Sequence, residues 1–177
     1  RPGQRWQPPK PPAGPQAKTI SRSGIDPRTA RAVLVGFINF PDALPEHAEQ
    51  LATLPITDPK TVQVRDDLLD RAFSGEKLDR EALIPIFRTL GVSSGTPSRD
   101  AVSFSFTRPD TAPDRAHADL AAAVEALTAS GEVERALVEA TERFRKDLSD
   151  EAYREQQRLI EAQRTLKERL ASLAGSD

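Results

Sequence analysis

The sequence predicts an all-α fold, in which a compact helical bundle is followed by a long helix and a C-terminal antiparallel helical hairpin. Three observations predict it. Apolar residues recur at the spacing of amphipathic helices over most of residues 26–90 and 113–174. Asp, in two cases followed by Pro, stands where helices of the bundle begin. Near the end of the chain, apolar residues recur every seven positions, as in one helix packed along another.

The first predicted helix begins with the cap Asp26 and with Pro27 at its first position, and Pro41 ends it. Its apolar residues form one face at helical spacing, with further apolar residues elsewhere, so we expect it to be the central helix. That face consists of Ala30, Val33, Leu34, Phe37 and Ile38.

Three further helices complete the predicted bundle. They run from about Pro45 to Leu54, from Asp58-Pro59 to Gly75, and from Asp79 to Gly91. Residues 92–112 follow as an extended connector rich in Ser, Thr, Pro and Gly. Phe104 and Phe106 alternate with serines at the period of a strand, but no second run could pair with them. We therefore expect their rings to anchor the connector on the bundle.

From Pro113 the sequence is helical almost to its end, with one break at residues 147–149. Leu127 and Val133 are six residues apart, and at about 100° per residue they point about 120° away from each other around the helix axis. The two halves of the helix should therefore bury their apolar stripes against different partners. Gly131 lies in this jump and is predicted to be a hinge, because glycine loosens a helix. The last helix is expected to return antiparallel. Its heptad positions are Ala152, Leu159, Leu166 and Leu173.

The chain divides by composition into three predicted parts. Residues 1–24 are a disordered Pro-rich linker, residues 25–130 a compact helical subdomain that includes the 92–112 connector, and residues 131–177 a C-terminal helical hairpin subdomain. The chain starts with Arg1 and contains no Met, so we expect it to be part of a longer protein.

Charge and composition narrow the function classes. Residues 1–23 carry five bases and no acids, so a net charge of −2 leaves −7 for the rest. Because the residues after 1–23 carry a net negative charge, they are poorly suited to binding phosphate groups, and we expect no direct binding of nucleic acid. No apolar run is long enough for a membrane span, and there is no Cys. We therefore expect a cytoplasmic module that binds protein and no membrane.

No catalytic, cofactor-binding or metal-binding constellation is predicted. His47 and His117 have no partners at ligand spacing. Asp66, Asp67 and Asp70 are better explained as a solvated helix face than as magnesium ligands. There is no phosphate-binding loop and no nucleophile motif.

Part of the last helix is predicted to bind a partner. Tyr153 and Ile160 lie beside the heptad seam, and a two-helix hairpin does not easily bury both the seam and this flank. Either they fold back on the first helix or close a homodimer, or they anchor a partner in a helix groove. If they anchor a partner, we expect Arg164 and Lys167 to supply charges at the rim of the binding surface and Leu170 to belong to the same site.

Several segments together resemble the C-terminal helicase-binding domain of bacterial DnaG-type DNA primases. They are the break Phe37-Ile38-Asn39-Phe40-Pro41, the pair Leu51-x-x-Leu54 followed by Asp58-Pro59, and the charged terminal hairpin. The resemblance covers roughly residues 25–173. It implies a non-catalytic module that docks on the N-terminal domains of the hexameric replicative helicase and stimulates it during primer synthesis for DNA replication.

The same resemblance implies that the parent protein is a DNA-directed RNA polymerase, a nucleotidyltransferase whose zinc and magnesium sites would lie outside this chain. The alternative is a helical oligomerisation or adaptor module, such as the N-terminal domain of a replicative helicase.

Overall fold

Six α-helices make up most of the chain in the structure, a computed structural model that describes residues 24–74, 78–89 and 102–175. They are α1 (Pro27–Asn39), α2 (Leu44–Thr53), α3 (Pro59–Ser74), α4 (Arg80–Thr89), α5 (Pro113–Asp147) and α6 (Asp150–Ala174). Short 3₁₀ turns occupy Pro41–Ala43 and Ser105–Thr107, and the described residues contain no strand. The predicted all-α class is confirmed. The predicted linker up to residue 23, the stops at Gly75 and Gly91 and the first part of the connector lie outside the described residues.

Helix α1 is the centre of the bundle. The carboxylate of Asp26 accepts a hydrogen bond from the Thr29 amide at 3.1 Å, and Pro27 occupies the first turn, as predicted. Every residue from Ala32 to Asn39 is buried. The helix therefore packs on all sides, against α3, α4, α5 and the Ser105–Thr107 turn.

The connector is anchored on α1 by its two phenylalanines, as predicted. Phe104 and Phe106 are buried, and their rings stack with centroids 4.9 Å apart. The side-chain amide of Asn39 donates to the carbonyls of Phe106, at 3.2 Å, and Thr107, at 3.1 Å. The last residue of α1 thus holds the turn that brings the chain to α5.

Helices α3 and α4 begin at the predicted caps. Asp58 accepts hydrogen bonds from the amide and the hydroxyl of Thr61, at 3.0 and 2.6 Å, and Asp79 accepts one from the Ala82 amide at 2.7 Å. Pro85 lies inside α4, whose residues Leu83 and Ile86 are buried in the core.

Helix α5 is 35 residues long, which is about 52 Å at 1.5 Å per residue. Its buried residues fall almost entirely in the first half, between Ala116 and Gly131, where they contact the bundle. After Gly131 only Ala140 is buried. The second half of α5 therefore extends beyond the bundle and is covered chiefly by α6.

Helices α5 and α6 pack antiparallel. The Gln156 side chain donates to the Thr141 hydroxyl at 3.0 Å, and the rings of Phe144 and Tyr153 lie 5.6 Å apart. Both contacts fit one register. At the other end of α6, Arg169 pairs with Glu125 at 2.8 Å.

The end of α6 also packs on the bundle. The residues that contact the core cluster there are Leu170, Leu173 and Ala174. Since α5 continues through residues 130 and 131 without a break, no change of secondary structure marks the predicted boundary between the subdomains. That boundary stays a prediction.

Candidate protein-docking surface

Most of the exposed large apolar side chains of the described residues lie on the α5–α6 hairpin. On the bundle they are Phe73 and Ile84, and on the hairpin they are Val138, Leu148, Tyr153 and Ile160. Exposed apolar groups that gather on one element mark interaction surfaces more often than single scattered ones do. The hairpin is therefore where a docking surface is to be sought.

One stripe of α6, which we call the exposed stripe, runs along nearly the whole helix. Its residues recur at the three- and four-residue steps that keep side chains on one face of an α-helix. They are Tyr153, Gln157, Ile160, Arg164, Lys167 and Ala171, and all six are exposed. The stripe contains two bases and no acid, although α6 as a whole carries both signs.

The apolar members of the stripe are supported from beneath. Tyr153 is 49% exposed and rests its ring against Phe144 of α5, which fixes its position. Ile160 is 42% exposed and lies at one end of a shallow surface depression that is also lined by Arg164, Lys167 and Glu168. These residues, which the sequence predicted as a partner-binding flank, thus lie on one face of a single rigid helix.

The two bases of the stripe remain accessible. Arg164 pairs with Glu168 at 2.9 Å, one turn along the same helix, and both side chains are more than half exposed. Exposed pairs of this kind contribute at most a few tenths of a kcal/mol. A partner carboxylate can therefore compete for the guanidinium at little cost.

The turn between the helices carries a further exposed apolar residue, which was not among the predicted site residues. Leu148 ends α5 in the left-handed conformation, with φ of 45°, and its side chain is 74% exposed. This position usually takes Gly or Asn, because a β carbon is strained there. The signal available in the sequence was a leucine four residues after Phe144, at the break between Asp147 and Ser149.

Two other predicted site residues lie elsewhere. Leu170 is partly buried and packs on the bundle core, so it is a structural contact and we leave it out of the docking surface. Gly131 is buried inside the unbroken α5, against the ring of Pro55. The structure gives this glycine a close-contact role, and its role as a hinge stays a prediction.

The described residues contain no group of three or more His, Cys, Asp or Glu side chains placed to hold a metal ion. His47 and His117 are partly buried and separate from each other, packed against Phe37 and Phe40 respectively. None of the helices in the described part of the chain is both long and apolar enough to span a membrane.

Comparisons of the chain with protein-family models, with curated proteins and with solved structures found no match. The resemblance to primase helicase-binding domains therefore stays a prediction that depends on the sequence segments quoted above.

Proposed function

We propose that this chain is a helicase-docking module of a bacterial replicative primase, which acts in the cytoplasm by binding the N-terminal domains of the hexameric replicative helicase. The observation that carries the proposal is the hairpin. The part of the hairpin that extends beyond the bundle carries the beginning of the exposed stripe, with Tyr153 and Ile160 as its large apolar residues. Primer synthesis itself would belong to other domains of the parent protein, a DNA-directed RNA polymerase.

The character of the stripe favours a protein partner over the other classes. Its apolar residues are set between uncharged and basic side chains, which is typical of the edge of a helix-binding surface. A body of net charge −7 disfavours a nucleic-acid partner. Self-association through the stripe is also disfavoured, because a facing stripe offers Arg164 and Lys167 two further bases, and the acid beside it, Glu168, already pairs with Arg164 of its own chain.

Point substitutions test the proposal better than truncation does. Deleting α6 would remove Leu170 and Leu173 from the bundle core, and lost binding would then have two explanations. Ile160→Glu instead places a charge at an exposed position. We expect the wild-type chain to bind the purified helicase N-terminal domain, and Ile160→Glu to weaken this binding about tenfold or more, which is about 1.4 kcal/mol.

Phe73→Ala is the matched control, since Phe73 is an exposed large apolar residue of the bundle, away from the hairpin. It should bind as the wild type does, with binding measured by calorimetry and folding by thermal unfolding. If the wild-type chain does not bind the helicase domain, the proposal is wrong. If it forms instead a homodimer that Ile160→Glu dissociates in sedimentation experiments, the oligomerisation module replaces it.

A further inference from the structure

We propose that the hairpin docks against an acidic amphipathic helix of its partner, which lies along the exposed stripe and meets Leu148 at the turn. This inference rests on the proposed function and deepens it by naming the chemistry of the partner element. The shape of the stripe, its charge and the exposed Leu148 each support it.

The shape of the stripe fits a helix. From Tyr153 to Ala171 it covers 19 residues, a rise of about 27 Å or five turns. Its residues form a straight row on a single helix, and such a row packs into the groove between side-chain rows of a second helix. Short peptide loops would contact only part of it.

The charge of the stripe selects an acidic partner. Arg164 and Lys167 lie toward one end, and no acid interrupts the row from Tyr153 to Ala171. Both side chains of the ion pair between Arg164 and Glu168 are exposed, so the pair contributes little free energy. A partner carboxylate can replace Glu168 beside Arg164 with little loss of binding free energy. A helix with carboxylates beside its apolar face would match the bases and its apolar residues would meet Tyr153 and Ile160.

Leu148 extends this surface to the tip of the hairpin. It joins two unfavourable features in the free protein, a left-handed backbone and an apolar side chain that is 74% exposed. Glycine would remove both. The turn itself accounts for the left-handed backbone, but not for an exposed leucine there, and a contact made in the complex would account for that side chain. The Leu148 amide donates to the Phe144 carbonyl one helical turn earlier, and the ring of Phe144 contacts that of Tyr153. Leu148, at the tip of the hairpin, is therefore close to the first residue of the stripe.

Substitutions at Leu148 separate strain from binding. Leu148→Gly and Leu148→Asn suit the left-handed backbone, so both should keep or raise the thermal midpoint while weakening binding of the helicase N-terminal domain about tenfold. Leu148→Met keeps an apolar side chain and should bind as the wild type does. If the Gly and Asn variants bind as tightly as the wild type, Leu148 is not part of the docking surface and the inference is overturned.

Arg164 has a matched control residue on the same helix. Arg164 and Arg158 each form an exposed ion pair at 2.9 Å within α6, but Arg158 lies outside the stripe. Arg164→Glu should weaken binding about tenfold and flatten its salt dependence, whereas Arg158→Glu should leave both near the wild-type values. Equal losses in the two variants would overturn the inference while leaving helicase docking intact.

A photo-crosslink identifies the partner element directly. Gln157→p-benzoylphenylalanine places the probe within the stripe, between its two large apolar residues Tyr153 and Ile160. We expect an adduct with a helix of the helicase domain that carries Asp or Glu beside an apolar face, mapped by mass spectrometry. An adduct with a basic or non-helical segment would overturn the inference. Lack of any binding by the wild-type chain would remove the proposed function and this inference together.

Discussion

Gly131 lies so close to Pro55 that a β carbon on it would stand 3.1 Å from Cγ of the proline ring. Pro55 belongs to the connection between α2 and α3, and Gly131 to the middle of α5, where the helix leaves the bundle. The absence of a side chain at residue 131 lets this connection press against α5. The contact thus lies at the base of the extended part of the hairpin.

We expect Gly131→Ala to stabilise the protein by up to about 1 kcal/mol without changing the orientation of the hairpin. Alanine is favoured over glycine inside a helix by about that amount, and the exposed Pro55 ring can yield by the few tenths of an ångström required. Urea unfolding measures the first effect, and distances between spin labels on the bundle and at the hairpin tip measure the second. A changed distance would support the hinge that the sequence predicted.

The same substitution at Gly36 should have the opposite sign. A β carbon there would come within 2.6 Å of a Phe106 ring carbon and 2.9 Å of a Leu120 methyl, both fully buried. Overpacking of this kind costs about 1–3 kcal/mol, more than the helix preference of alanine returns. Gly36→Ala should therefore lower the midpoint of urea unfolding, and Gly131→Ala serves as its control. An unchanged midpoint would mean that the Phe106 ring moves aside freely.

Asn39→Ala should destabilise the fold by about 1–3 kcal/mol. The substitution leaves the carbonyls of Phe106 and Thr107 without the amide that both accept from, next to a stacked pair of buried rings. We expect proteolysis between α4 and α5 to become faster, because the connector loses its tie to α1. Limited digestion and urea unfolding, compared with the exposed control Thr53→Ala, test this. Equal behaviour of the two variants would contradict it.

Local signals were enough to predict where three helices of the bundle begin. The caps Asp26, Asp58 and Asp79 each accept a hydrogen bond from an amide three residues ahead, so the sequence contains the whole interaction. Asn39, by contrast, bonds to a carbonyl 67 residues away. Its neighbours in sequence indicated a helix end but could not indicate what its side chain would hold.

The candidate site also contains residues that the sequence could predict and residues that it could not. Helical periodicity predicted Tyr153, Ile160, Arg164 and Lys167 as one flank, and the structure leaves all four exposed. Leu170 was predicted with them, but it is partly buried and packs on the core, because periodicity does not show where the end of a helix meets the bundle. The left-handed conformation of Leu148 was not predicted, because leucine is not one of the residue types that usually indicate a turn.

The cap at Asp58 predicts a pH dependence of stability. The hydrogen bond from the Thr61 hydroxyl, followed by that from the Thr61 amide, lowers the pKa of this carboxyl below its ordinary value of 3.8. The folded protein therefore binds the proton less readily than the unfolded chain does. The stabilisation is fully present above the ordinary pKa, and it is lost as pH falls through the lowered one. The effect should be small, because solvent screens an exposed group.

The difference in unfolding free energy between the wild type and Asp58→Asn isolates this contribution. It should be constant near neutral pH and shrink as pH falls below about 4, when the wild-type carboxylate takes up its proton. Thr61→Val removes the hydroxyl donor while keeping the buried volume, so the pKa of Asp58 should return toward its ordinary value and the pH dependence should weaken. Urea unfolding over a pH series measures all three proteins. A difference that stays constant through the acid range would show that Asp58 acts only through its neutral hydrogen-bonding capacity.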